Sequence, residues 1–107
     1  MEKQLQAFIE AHPQGWDHDA WLGLLVDLEK AGHDVSNTEA IGWELERERL
    51  AWELRRKDVP GLGPKRIDAV VERFGTLWSL QHAEAEDIAE IKTIHGKLAE
   101  KVHSAVR

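Results

Sequence analysis

The sequence predicts an all-α fold, on three observations. Apolar residues recur at spacings of three and four along nearly the whole chain. No segment alternates apolar and polar residues as a half-buried strand does. The breaks in the helical rhythm carry breaker and cap residues: "HPQG" at 12–15, Gly32, "VPGLGP" at 59–64 and Gly75. At 107 residues and 42% apolar content, the chain is long enough for one small domain with a packed core, or one domain with an appendage.

Leu5, Phe8 and Ile9 share one face of a first helix, which Pro13 and Gly15 terminate. Asp17 suits the N-cap of a second helix, with Trp21, Leu24, Leu25 and Leu28 on its apolar face and Gly32 at its C-terminal end. "SNTE" at 36–39 has the form of a capping box. A long third helix is expected from there to about Lys57. Ile41, Leu45 and Trp52 form one stripe; Trp43, Leu50 and Leu54 form a second. A helix apolar on two faces packs against two neighbours, so this helix joins the halves of the chain. Pro64 opens a fourth helix, whose apolar face is Ile67, Val70, Val71 and Phe74. Short helices follow in "TLWSLQ", capped by Thr76, and in "EAEDIAEI". The last, "GKLAEKVHSAV", turns Leu98, Val102 and Val106 inward.

The formal charge of −6 is unevenly spread. Residues 1–54 hold four Lys/Arg against twelve Asp/Glu, a net −8; residues 55–107 hold ten against eight, a net +2. The break falls at "LRRKDVPGLGPKR", where Arg55, Arg56, Lys57, Lys65 and Arg66 cluster. Blocks of opposite sign imply a different task for each half. We therefore read 1–54 as an acidic helical region, suited to a protein partner, to self-association or to capping, and 55–107 as the functional module. With no cysteine, disulfides and thiolate metal sites are excluded. No membrane span or signal peptide is expected, and a cytoplasmic protein is the simplest reading.

"VPGLGPKR" is the most informative stretch. Gly61 allows a backbone conformation closed to other residues. Leu62 can turn inward and pin the loop. Gly63 leaves the loop surface bare, and Pro64 starts the next helix without wasting a donor. The helix start offers unbonded N–H groups and a positive dipole end, which together suit an anion. Lys65 and Arg66 lie in that first turn. They oppose the dipole, and a bound phosphate would offset the cost.

From "VPGLGPKR" through "FGTLWSL" and "AEAEDIAEI" to "IKTIHGKLAEKV", roughly residues 55–106, the chain resembles the tandem helix-hairpin-helix domain. It is most similar to the C-terminal DNA-binding domain of the bacterial nucleotide-excision repair endonuclease. The resemblance implies two hairpins, related by a pseudo-two-fold axis, that straddle the minor groove of double-stranded or branched DNA. Each would hold phosphates of one strand without reading sequence. Carried across, Gly61, Leu62, Gly63, Lys65 and Arg66 form the first site. A monovalent cation on the carbonyls of that loop is left open; no other cofactor is implied.

The second hairpin departs from the pattern. Thr93 stands opposite Gly61, His95 opposite Gly63, Gly96 opposite Pro64 and Lys97 opposite Lys65. A β-branched threonine resists the left-handed conformation, so a reshaped loop is expected here. His95, Gly96 and Lys97 remain candidates for a phosphate; the alternative is a purely structural second hairpin. The histidines and aspartates around Asp17–Asp19 lack metal-site spacing. The carboxylates Glu44, Glu46, Glu48 and Glu53 read as a solvated face, and four of the five tryptophans, Trp16, Trp21, Trp43 and Trp52, read as core. No catalytic constellation is present, so a non-enzymatic DNA-binding module is expected. The rival reading is an interaction module that kept the hairpin fold without DNA binding.

Overall fold

The computed structural model describes residues 1–107. It contains seven helices and no strand: α1 Glu2–Ala11, α2 His18–Lys30, α3 Thr38–Lys57, α4 Pro64–Phe74, α5 Leu77–Gln81, α6 Ala85–Ala89 and α7 Gly96–Ala105. The all-α expectation holds. No helix is long and apolar enough to cross a membrane.

Local chemistry sets the boundaries. The Asp17 carboxylate accepts the Ala20 N–H at 2.8 Å and starts α2. Gly32, at φ +91°, ends the chain's helical course after Lys30. The expected capping box at 36–39 is corrected: Asn37 is the N-cap of α3, and its side-chain oxygen accepts from Ala40 N–H at 3.1 Å. Asparagine caps as well as serine does, and here it lies one residue nearer the apolar stripe. The Ser36 N–H instead bonds the Asp34 carboxylate, which lowers that group's pKa. Asp58 takes the left-handed conformation at φ 49° and closes α3.

Buried side chains form two cores. Leu5, Ile9, Leu24, Leu28, Ile41 and Leu45 make the smaller one, with Phe8, Trp16, Trp21 and Trp52 packed against it. The larger runs from Leu50, Ala51 and Leu54 through Val59, Leu62, Ile67 and Val70 to Leu98, Val102 and Val106. Burying a leucine such as Leu50 or Leu54 contributes about 1.5–3 kcal/mol. The division between the cores falls within α3, between Leu45 and Leu50. One continuous helix, about 30 Å long at 1.5 Å per residue, therefore carries both. The molecule measures 45 × 23 × 21 Å with a radius of gyration of 14.8 Å, against about 13 Å for a round domain of this length.

Two expectations for α3 fail. Trp43 is 51% exposed and belongs to neither core. Its position lies between the stripes: Ile41 and Leu45 flank it, and Leu50 and Leu54 begin only beyond the first core. Glu53 is buried, not solvated, and accepts from Arg56 at 3.2 and 3.3 Å. It falls between Leu50 and Leu54 on the face that meets the second core, and the neighbouring guanidinium compensates its charge. Glu46 is half-buried, and desolvation raises its pKa above the ordinary 4.5, with Arg49 acting in the opposite sense.

Candidate nucleic-acid interface

Two helix–loop–helix units meet in the larger core. α3 and α4 flank the loop at 59–63; α6 and α7 flank the loop at 91–95. The loops have the same framework. Leu62 N–H bonds Val59 O at 3.0 Å, and Ile94 N–H bonds Ile91 O at 2.9 Å. Ile67 N–H bonds Gly63 O at 3.0 Å, and Ala99 N–H bonds His95 O at 2.9 Å. The N-cap residues nearly coincide in conformation: Gly63 at φ −79°, ψ 179° and His95 at φ −80°, ψ 170°. Val59, Leu62, Ile94 and Leu98 are buried beneath the two turns.

The expected reshaping of the second loop is therefore confined to one residue. Gly61 sits at φ +89°, while Thr93 keeps a negative φ. The turn and the helix start survive because the buried Ile94 anchors the loop as Leu62 does in the first.

Both loops leave backbone donors unbonded. In the first, the N–H groups of Gly61, Gly63, Lys65 and Arg66 have no partner within the protein. In the second, those of Thr93, His95, Gly96 and Lys97 have none. A Cβ built on Gly63 or Gly96 would meet nothing within 4 Å, so both faces are open to an approaching molecule. Lys65 and Lys97 occupy equivalent first-turn positions, exposed and free of ion pairs. Each helix start thus combines oriented N–H groups, a dipole end and a lysine, which is the chemistry of phosphate recognition.

Three of the expected site residues also make contacts within the protein. Leu62 turns inward as expected: it is buried, and its N–H bonds Val59 O, so it anchors the loop. His95 caps α7, its Nδ1 accepting from Leu98 N–H at 3.3 Å, which leaves Nε2 as the only outward ring nitrogen. Arg66 is a brace: its Nε donates to Thr93 O at 2.8 Å and a terminal nitrogen to Gly61 O at 3.4 Å. The contact is reciprocal. Leu98, the counterpart of Arg66, has its Cδ1 at 3.6 Å from where a Gly61 Cβ would stand. Each hairpin therefore touches the third residue of the other's loop, which fixes their spacing. Sequence reasoning missed the brace because its partners lie 27 residues apart. The one available signal was the asymmetric pairing of Arg66 with Leu98 in the internal alignment.

A small cleft lies between the loops, lined by Pro60, Gly61, Arg66, His95, Leu98 and Lys101. Elsewhere, Trp78 is 66% exposed and stacks on His82 with ring centres 4.0 Å apart. Asp17 and His12 are occupied locally, the first capping α2 and the second bonding Phe8 O.

With this geometry in place, the relatives are informative. The chain is similar to UvrABC system protein C. It is 38% identical to that protein from Corynebacterium jeikeium over 88 residues, which is 79% of this chain and 12% of the relative. It is 35% identical to that from Aliivibrio fischeri over 75 residues, 69% of this chain and 12% of the relative. With that from Symbiobacterium thermophilum it shares 40% identity over 58 residues, 54% of this chain and 9% of the relative. The chain thus spans only about a tenth of the length of these relatives. The resemblance read from "VPGLGPKR" and its downstream register stands. It also reaches further than residues 55–106: a match over 88 residues runs well back along α3 towards the N-terminal core. No family model matches the chain, and no solved structure does.

Proposed function

We propose that this chain is a non-catalytic DNA-binding module of DNA repair or recombination. It grips the phosphate backbone, without sequence preference, through two helix-hairpin-helix loops. The observation that carries the reading is the duplicated helix start: two sets of unbonded N–H groups, each with an unpaired lysine, held at fixed spacing. The similarity to UvrABC system protein C supports the same assignment. Gly61, Gly63, Lys65, His95, Gly96 and Lys97 face the phosphates in this reading, while Leu62 and Arg66 hold the loops in place. The Arg66 guanidinium supplies the positive charge at Gly61 O that a bound monovalent cation would otherwise bring.

Residues 1–54 are read as an acidic helical region whose last turns, through Leu50, Ala51 and Leu54, share the core of the module. A second reading, a protein-interaction module, is favoured by the exposed apolar side chains Leu22, Val26 and Trp43 in that half. Fluorescence anisotropy with duplex, single-stranded and junction DNA separates the two. DNA binding without sequence preference is expected at a dissociation constant of about 10⁻⁴ to 10⁻⁶ M. Absence of binding at low salt, with protein at about 100 μM, a hundredfold above the tight end of that range, would transfer the assignment to the interaction module.

A further inference from the structure

A groove beside the hairpins adds Lys57 and Lys101 to the cations at the loops. It is lined by Lys57 at the end of α3, Pro60 of the first loop, and Lys97, Glu100, Lys101 and Ser104 along α7. Pro60 and Lys101 also line the cleft between the loops, so groove and cleft form one continuous surface. Lys97 and Lys101 stand four residues apart and so project from the same side of α7.

None of the chain's seven lysines forms an ion pair, and three of them line this one groove. Arg47, Arg56 and Arg73 each have a carboxylate partner, at 2.6, 3.2 and 3.5 Å. Lys57, Lys97 and Lys101 are exposed and form no ion pair, although Glu100 lies on the same wall. Helix dipoles do not account for the set. The end of α3 favours Lys57, but the first turn of α7 disfavours Lys97, and Lys101 lies mid-helix. Three unpaired cations and the Ser104 hydroxyl converge on a groove that opens onto the hairpin cleft.

We propose that this groove is a further phosphate subsite, in which Lys57, Lys97, Lys101 and Ser104 take the DNA backbone beyond the phosphates held at the hairpin loops. The inference rests on the DNA-binding reading and extends it to a surface that the hairpin pattern does not include. A strand leaving the first loop past Pro60 enters the groove directly. Lys97 then serves both surfaces, and Lys57 and Lys101 belong to the groove.

The test is the salt dependence of duplex binding for the intact chain and for Lys57→Gln, Lys101→Gln and the double variant, with Lys3→Gln on α1 as control. Each groove variant should make the slope of log K against log salt shallower by about 0.9, which at about 0.1 M salt is up to an eightfold loss of affinity. The double variant should lose both increments, and Lys3→Gln should change neither slope nor affinity. Wild-type binding with unchanged slopes in Lys57→Gln and Lys101→Gln would overturn the subsite alone. An equal change in Lys3→Gln would overturn it too, since the effect would then be one of net charge. Absence of wild-type binding would overturn the DNA-binding reading and the subsite together.

Discussion

The two hairpins reach one geometry from different residues. The first uses Gly61 at φ +89°, a bare Gly63 and Pro64 at the helix start; the second uses Thr93 at negative φ, a capping His95 and Gly96. What they share is an apolar residue in the middle of the loop, Leu62 or Ile94, buried and bonded back to the residue three before it. The buried anchor, not the glycine pattern, preserves the turn. The glycine matters for a different reason: Gly61 holds φ +89°, a conformation that residues with a side chain rarely adopt.

That distinction is broken most forcefully by Gly61→Val. A β-branched residue at this φ is strained, and its side chain grows toward Leu98. The expected loss is about 2–3 kcal/mol in denaturant unfolding, whereas Thr93→Gly should stay within about 1 kcal/mol. Equal losses at both positions would show that the two loops are not built differently.

Charge reversal comes next. Lys65→Glu and Lys97→Glu occupy equivalent first turns, so each should weaken duplex binding by about tenfold at low salt. The loss at Lys97 should equal or exceed that at Lys65, given that the phosphate-facing amides are the same in both loops and that Lys97 also lines the groove. A much larger loss at Lys65 would mean that the pattern glycines, and not the shared turn, determine phosphate binding.

Arg66→Gln probes the brace without DNA. If the guanidinium joins the loops in the free protein, its removal should cost about 1 kcal/mol in urea unfolding. Unchanged stability would leave Arg66 free and make it a direct phosphate contact instead.

The smallest effect lies outside both hairpins. Burial raises the pKa of Glu46, so its ionisation opposes the fold as pH rises through that raised value. Glu46→Gln should therefore raise the melting temperature slightly at neutral pH. The gain should vanish below the ordinary carboxylate value of 4.5. A gain that persists in acid would show that packing, not charge, is responsible.

Most helices could be read from the sequence because their signals are local. Asp17, Thr76, Pro64 and Gly75 act within a few residues of themselves, and each stands where the cap or break was expected. The first hairpin was legible for the same reason. Features that failed depend on long-range packing or on competition between neighbours. Asn37 displaced Ser36 as the cap because either side chain can accept the same kind of N–H. Glu53 looked solvated because alternating charge hides which face meets a distant core. The Arg66 brace and the groove at Lys57 and Lys101 join segments that only the folded chain brings together.

If both loops present free amides to one DNA molecule, titration with a short duplex will reveal it in the backbone amide chemical shifts, residue by residue. The largest shifts are expected at Gly63, Lys65 and Arg66 and, saturating at the same DNA concentration, at His95, Gly96 and Lys97. Shifts confined to the first loop, or to the Leu22, Val26 and Trp43 surface, would refute a grip shared by the two hairpins.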